Sequence, residues 1–200
     1  MRFFVACISM AVSGAGVCCA QETAPAHHTV QLSKVILNPQ IAKENQHVKV
    51  GTICLLAGSP LDFGSTERTA SYERFERLFA EVMKAKGFSV QEKSANLFEE
   101  NSSGESADFL MGATFQPASV TMCDSVNGQK GAISISVEWQ IYDRTQKKVV
   151  EIIKSAGKGE RAKFDQDGLN GMINDAFKDS LNAMVDQGKV QKYLGAPTPH

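Results

Sequence analysis

The residues of this 200-residue chain whose types allow chemistry are four histidines, five cysteines and a few aspartates near predicted elements. None of His27, His28, His47 and His200 lies three or four residues from another histidine or from a cysteine, so no local metal signature exists and no metal or cofactor is expected. No serine stands in a Gly-x-Ser-x-Gly elbow, and no histidine falls in the strand and helix body where a catalytic triad would need one. Asp108, Asp143 and Asp175 have the right types for an acid and base pair, but solvated turns and a helix surface explain them better. The chain therefore reads as a non-enzyme.

The segment "GSPLDFGST" is shaped like a phosphate loop between strand and helix, yet it lacks the lysine and has one residue too many between its glycines. Ser65 or Thr66 is read as the cap of the following helix. Backbone amides at such a start can also hold an anion weakly, which keeps a small hydrolase or ligand-binding protein using this cleft as the alternative function.

The first residues, "MRFFVACISMAVSGAGVCCAQETAPA", supply a positive start at Arg2 and an apolar core from Phe3 to Val17, the parts of a secretory signal. Cleavage before Gln21 is favoured by the small residues at Cys18 and Ala20; Ala24 and Ala26 offer a second site before His27. A lipid anchor on Cys18 or Cys19 is the minority reading, because Val17 or Cys18 stands where a small residue should precede the cysteine. Processing leaves Cys54 and Cys123, a disulfide candidate in an exported chain, with two buried thiols as the alternative. The compartment expected is the periplasm or the cell exterior.

About 180 residues remain after cleavage, enough for one domain with a substantial core. Twenty basic against twenty-two acidic side chains give a net charge of about −2, so nucleic acid is not an expected partner. No later segment is apolar over a membrane-spanning length.

The elements follow from hydrophobic spacing. "VQLSKVIL" suits an edge strand or a lead-in arm, and "HVKVGTICLLAG" is apolar on both faces at its far end, as a central strand would be. In "ERTASYERFERLFAEVMKAKG", Tyr72, Phe75, Phe79 and Val82 share a helix face widened by Leu78 and Met83, and Gly87 ends the helix. "FSVQE" is a short strand returning beside the first, and "SANLFEENSSGESA" a polar loop. "DFLMGATFQPASVTMC" is extended, with Pro117 breaking or edging it. Along "ISISVEWQIYD", Ile133, Ile135, Val137, Trp139 and Ile141 point to the core and Ser134, Ser136, Glu138, Gln140 and Tyr142 to water. Trp139 is read as a core anchor. "KVVEIIK" returns, "SAGKGERAKFDQDG" is a loop, and Leu169, Ile173, Phe177, Leu181 and Met184 mark a final helix.

This order implies an α+β fold, a mixed-sheet α/β sandwich with two main helices packed on a sheet of about five strands. The expected organisation is a signal peptide over 1–20, an N-terminal arm over 21–46, a single α/β domain over 47–194 and a disordered tail over 195–200.

Through Ala107, Asp108, Phe109 and Gly112, and through Asp143 with Val149 and Val150, the chain resembles the exported α/β domain of the curli-secretion CsgG lipoproteins, the amino-terminal domain of TolB and the lipoprotein activators of penicillin-binding proteins. Gln146 and Lys147 stand where that group usually has a glycine. The resemblance implies a non-enzymatic periplasmic adaptor or accessory subunit of a cell-envelope machine in secretion, transport or wall synthesis, with an envelope protein as partner. Its docking surface is expected on Asn101, Ser102, Ser103 and Glu105 of the polar loop and on Glu138, Gln140 and Tyr142 of the wet hairpin face.

Overall fold

The hairpin is the spine of the molecule, and it is far longer than its hydrophobic pattern predicts. The computed structural model describes residues 28–37, 52–54, 67–92 and 106–195. The segment read as a secretory signal, Ser65 and Thr66, the residues Asn101, Ser102, Ser103 and Glu105, and those beyond 195 lie outside the described residues.

In chain order the elements are β1 (Thr29–Leu37), β2 (Thr52–Cys54), α1 (Glu67–Ala85), β3 (Ser89–Val90), β4 (Phe109–Ser125), β5 (Gly128–Asp143), β6 (Lys148–Asp165), α2 (Gly168–Asp186) and the short α3 (Gln191–Leu194). The sheet order is β3-β1-β4-β5-β6, with β2 pairing the far end of β4. β1 runs parallel to β3 and β4, and β4, β5 and β6 are antiparallel in succession. The sheet is mixed and the fold α+β with two main helices packed on it, as the sequence pattern implies, and both long helices lie on one face.

Four readings need correction. β1 is neither an arm nor an edge strand: it lies between β3 and β4, because Val30 and Leu32 are buried and demand a packed position. β3 accordingly returns beside β1, with Thr29 opposite Ser89, and not beside the strand that holds Cys54. β2 has one strand neighbour among the described residues, β4, so it is not central there. β6 runs on to Asp165 through the stretch expected to be a loop. Its buried positions continue at Ile153, Ser155, Gly157 and Gly159, a period of two written in small residues in place of large ones.

Those small residues seat α2. A Cβ on Gly157 would meet the backbone nitrogen of Ser180 at 2.5 Å, and one on Gly159 would collide with the carbonyl of Met172. The helix lies on bare strand backbone, which is why apolar side chains are absent from this part of the sheet.

Pro117 does not end β4. The register against β5 shifts between Pro117 and Ser119, the irregularity at which a strand tolerates a residue without an N–H. On the other side, pairing with β1 ends at Phe115 and pairing with β2 begins at Thr121, so Pro117 falls between two ladders.

The core has an aromatic centre drawn from four elements. Phe177 of α2 has ring centroids 4.8 Å from Phe75 of α1, 5.7 Å from Phe115 of β4 and 5.5 Å from Trp139 of β5. Burying a side chain of this size contributes about 2 kcal/mol. Phe79, Met83, Leu181 and Met184 are fully buried around it, as helical spacing predicts, while Leu169 and Ile173 are only partly so. The Tyr72 hydroxyl donates to the carbonyls of Leu32 (2.7 Å) and Ser33 (3.1 Å), where the β1 register against β4 shifts. Ion pairs Lys178–Glu81 and Lys86–Asp186, both 2.8 Å, tie the two helices side by side.

The hairpin turn resolves the departure at Gln146 and Lys147. Lys147 takes φ 54°, the left-handed conformation that a glycine adopts without strain, and Asp143 accepts hydrogen bonds from both the backbone and the side-chain nitrogen of Gln146, each at 2.8 Å. The asparto-glutamine clasp holds the turn in the absence of glycine.

Candidate functional site: the open face of the sheet

Alternation along the strands sends Met111, Ala113, Trp139, Ile141 and Ile153 under the helices, and their neighbours to the other face. The two long helices leave that other face open. Register pairs assemble it in rows: Leu110, Tyr142 and Val149; then Lys34, Gly112, Gln140 and Ile152; then Ile36, Thr114, Glu138 and Lys154. Ile152 is 49% and Val149 43% exposed, unusual for aliphatic strand residues. Glu138, Gln140 and Tyr142, singled out from the sequence, therefore share one face and are each half-buried. Gln140 Nε2 donates to Glu138 Oε1 at 3.2 Å, and Lys154 Nζ lies 3.8 Å from Glu138 Oε2. Lys34 is exposed and has no carboxylate partner among the described residues.

The outer edge of the sheet, by contrast, is capped at three backbone groups between Val150 and Lys158. Asp179 accepts from the backbone N–H of Lys158 at 2.9 Å, Gln187 donates to the carbonyl of Lys154 at 2.9 Å and the Tyr193 hydroxyl donates to the carbonyl of Val150 at 3.0 Å. Side chains from α2 and α3 occupy the groups through which another strand would pair with β6.

A polar cleft of about 300 Å³ lies where β1 and β4 begin, against the β5–β6 turn and α3; His28, Asp108, Phe109, Asp143, Lys192 and Tyr193 contribute to its walls. It brings Asp108 and Asp143 together, while Asp175 sits on α2 and accepts from Arg161. The two cleft carboxylates are engaged in structural contacts. Asp108 Oδ2 accepts from the Thr29 backbone N–H at 2.9 Å and the Thr29 hydroxyl at 3.2 Å, with His28 Nδ1 at 3.4 Å. The Thr29 N–H above all, opposed by desolvation and assisted by the Thr29 hydroxyl and His28, holds the Asp108 carboxyl below its ordinary range. Asp143 is spent on Gln146. The cleft works as a clasp that fixes the entry of β1, a role that sequence spacing did not reveal because its walls come from separate stretches of the chain around residues 28, 108, 143 and 192.

Cys54 and Cys123 are register partners on the parallel pair β2 and β4. Neighbouring strands lie about 4.8 Å apart, inside the Cα separation that a disulfide spans. Among the described residues no group of three or more histidine, cysteine, aspartate or glutamate side chains is placed to hold a metal ion. Among them, too, no helix is long and apolar enough to cross a membrane.

No family model and no curated protein matches the chain. Solved structures do. A minor lipoprotein from Acinetobacter baumannii is 10% identical over 80% of this chain and 94% of its own, with a TM-score of 0.38. A Xanthomonas campestris protein of the DUF330 family is 10% identical over 84% and 93%, with a TM-score of 0.41. PelC, a dodecamer from Paraburkholderia phytofirmans, is 14% identical over 79% and 89%, with a TM-score of 0.35. At these scores the likeness assigns no family and transfers no property to this chain.

Proposed function

We propose that this chain is an exported, non-enzymatic accessory subunit of a cell-envelope machine, acting in the periplasm by docking an envelope protein onto the open face of its sheet. The observation that carries this reading is the cluster of exposed Ile152 and Val149 beside half-buried Tyr142 and Gln140 on a face that neither long helix covers. Apolar side chains of this size left in water on the face of a sheet are the mark of a surface that meets another molecule. The capped β6 edge directs contact to the face and away from strand pairing. A Cys54–Cys123 bridge would suit the same oxidising compartment and would pin β2 to the end of β4.

The test is co-purification from envelope extract of the native host, comparing the parent with Ile152→Glu and Tyr142→Ala, each checked for folding by thermal melting. Loss of a defined envelope partner with both variants supports the reading. Folded variants that keep every partner of the parent overturn it.

A further inference from the structure

Asp108 and Lys192 line one cleft with opposite charges and do not meet. The cleft encloses about 300 Å³, and no ion pair joins Lys192 to Asp108 or to Asp143 across it. Asp108 spends one oxygen on the fold: Oδ2 takes the Thr29 N–H, the Thr29 hydroxyl and His28, while Oδ1 accepts no hydrogen bond among the described residues. Those contacts fix the plane of the carboxylate, so the direction of Oδ1 is set before anything binds. The Thr29 N–H, first among them, keeps this group ionised at neutral pH. Asp143 differs, because it is buried and both its oxygens are taken by Gln146. Lys192 is exposed, with its ammonium 5.1 Å from the centroid of the Tyr193 ring, and no described carboxylate answers it.

The β5–β6 turn, which brings Thr145 to the same cleft, is held by more than its ladder. The Arg144 N–H donates to the Asp108 carbonyl at 3.2 Å, beside the Asp143–Gln146 bonds. Lys147 is the one non-glycine residue with a positive φ among the described residues. Backbone strain that the surroundings over-determine collects where a ligand is clamped. We infer that this cleft binds a small zwitterion, its ammonium on Asp108 Oδ1 and its carboxylate or phosphate between Lys192 and Thr145. A simple anion would meet the ionised Asp108, and a simple amine would leave Lys192 unanswered beside it. A molecule with both charges on a short chain satisfies both groups, each through a charge-assisted hydrogen bond. Phe109 and Tyr193, with ring centroids 6.4 Å apart, give that chain an apolar wall. An α-amino acid and phosphoethanolamine, free or as a phospholipid headgroup, share this chemistry. The inference does not rest on the docking reading, since it uses neither Ile152 nor Val149 nor Tyr142.

The experiment is isothermal titration of the full chain with glycine and with O-phosphoethanolamine, against ethanolamine and inorganic phosphate as the two half-ligands. One zwitterion is expected to bind at least about tenfold more tightly than either half-ligand, the loss that a missing charged hydrogen bond brings. Lys192→Gln and Asp108→Asn, each shown to be folded by its melting curve, should weaken that binding by about tenfold or more. Lys192 takes no part in the Asp108 clasp, so its effect cannot be a loss of fold. Tighter binding of glycine supports the site with an amino acid as its ligand. Tighter binding of O-phosphoethanolamine supports it with a phosphate zwitterion, and sedimentation with phosphatidylethanolamine vesicles but not with phosphatidylglycerol vesicles makes the source a lipid headgroup. Ethanolamine or phosphate binding as tightly as both zwitterions overturns the inference. So does the absence of binding by either zwitterion at millimolar concentration, or binding that is unchanged in both folded variants.

Discussion

Gly159 of β6 lies directly beneath the carbonyl of Met172 in α2, so near that a Cβ on the glycine would sit 2.7 Å from the Met172 carbonyl carbon. Two residues earlier, Gly157 holds the same relation to Ala176 and Ser180. The obstructing atoms are helix backbone, which cannot swing aside as the end of a flexible side chain would. Gly159→Ala should therefore lift α2 from the sheet and loosen Phe177, Leu181 and Met184 together. The expected loss is about 2–3 kcal/mol, read as a lower denaturation midpoint in urea. Gly112→Ala on the opposite face is the control and should show no loss. Equal midpoints for Gly159→Ala and the parent would show that the helix seat has slack.

Trp139 is fully buried, and its indole N–H donates to the Ser155 hydroxyl at 2.9 Å, which lies 2.7 Å from the hydroxyl of Ser180. This short chain joins β5, β6 and α2 inside an apolar core, where an unpaired donor is costly. Ser155→Ala should cost about 1–3 kcal/mol by stranding the indole N–H. Trp139→Phe in the Ser155→Ala background should recover part of that loss, because the donor is removed with its acceptor. A double-mutant cycle by chemical denaturation measures the coupling; additive losses would mean that the bond contributes nothing.

The parts of the fold that were legible in the sequence are those built from large apolar residues. The alternation from Ile133 to Ile141 gave the buried face of β5, and the spacing of Phe75, Phe79 and Val82 gave the inner face of α1. The second half of β6 was not legible as strand, because glycine and serine replace the bulky residues by which alternation is recognised. Ser155, Gly157 and Gly159 do alternate with Ala156, Lys158 and Glu160, so the signal was present in size and not in hydropathy. Glu138, Gln140 and Tyr142, proposed to dock a partner, could be placed on a common face from period two alone. Gly112 could not be recognised as their neighbour, since register between strands depends on tertiary pairing.

The opposition of Cys54 and Cys123 in the β2–β4 register has a chemical consequence in an oxidising compartment. Protein isolated from there without reductant should yield one peptide pair joined through these two residues. On the chain-entropy account a bridge closing a loop of this length is worth about 4 kcal/mol. Cys123→Ser, or treatment with dithiothreitol, should lower the melting temperature accordingly, and the two treatments together should do no more than either alone. Two alkylatable thiols in protein handled under those conditions would rule the bridge out.

The Asp108 clasp predicts a specific limb of the pH dependence. Hydrogen bonds from Thr29, its backbone N–H first, and the neighbouring His28 keep the folded carboxyl below its ordinary range. The unfolded chain, with an ordinary aspartate near 3.9, binds this proton more readily, so stability is fully present above about pH 4 and declines as pH falls through the folded value. The side chain is 50% exposed, so solvent screening keeps the contribution small. Asp108→Asn should reduce stability at pH 7, because an amide is a weaker acceptor for the Thr29 N–H and hydroxyl. Urea midpoints of parent and variant should then converge only below about pH 4, as the pH falls through the depressed folded value. Thr29→Ala removes one donor from the same oxygen and should shift the convergence toward higher pH. A difference between parent and Asp108→Asn that stays constant from neutral to acid pH would show that the carboxylate charge contributes nothing at the entry of β1.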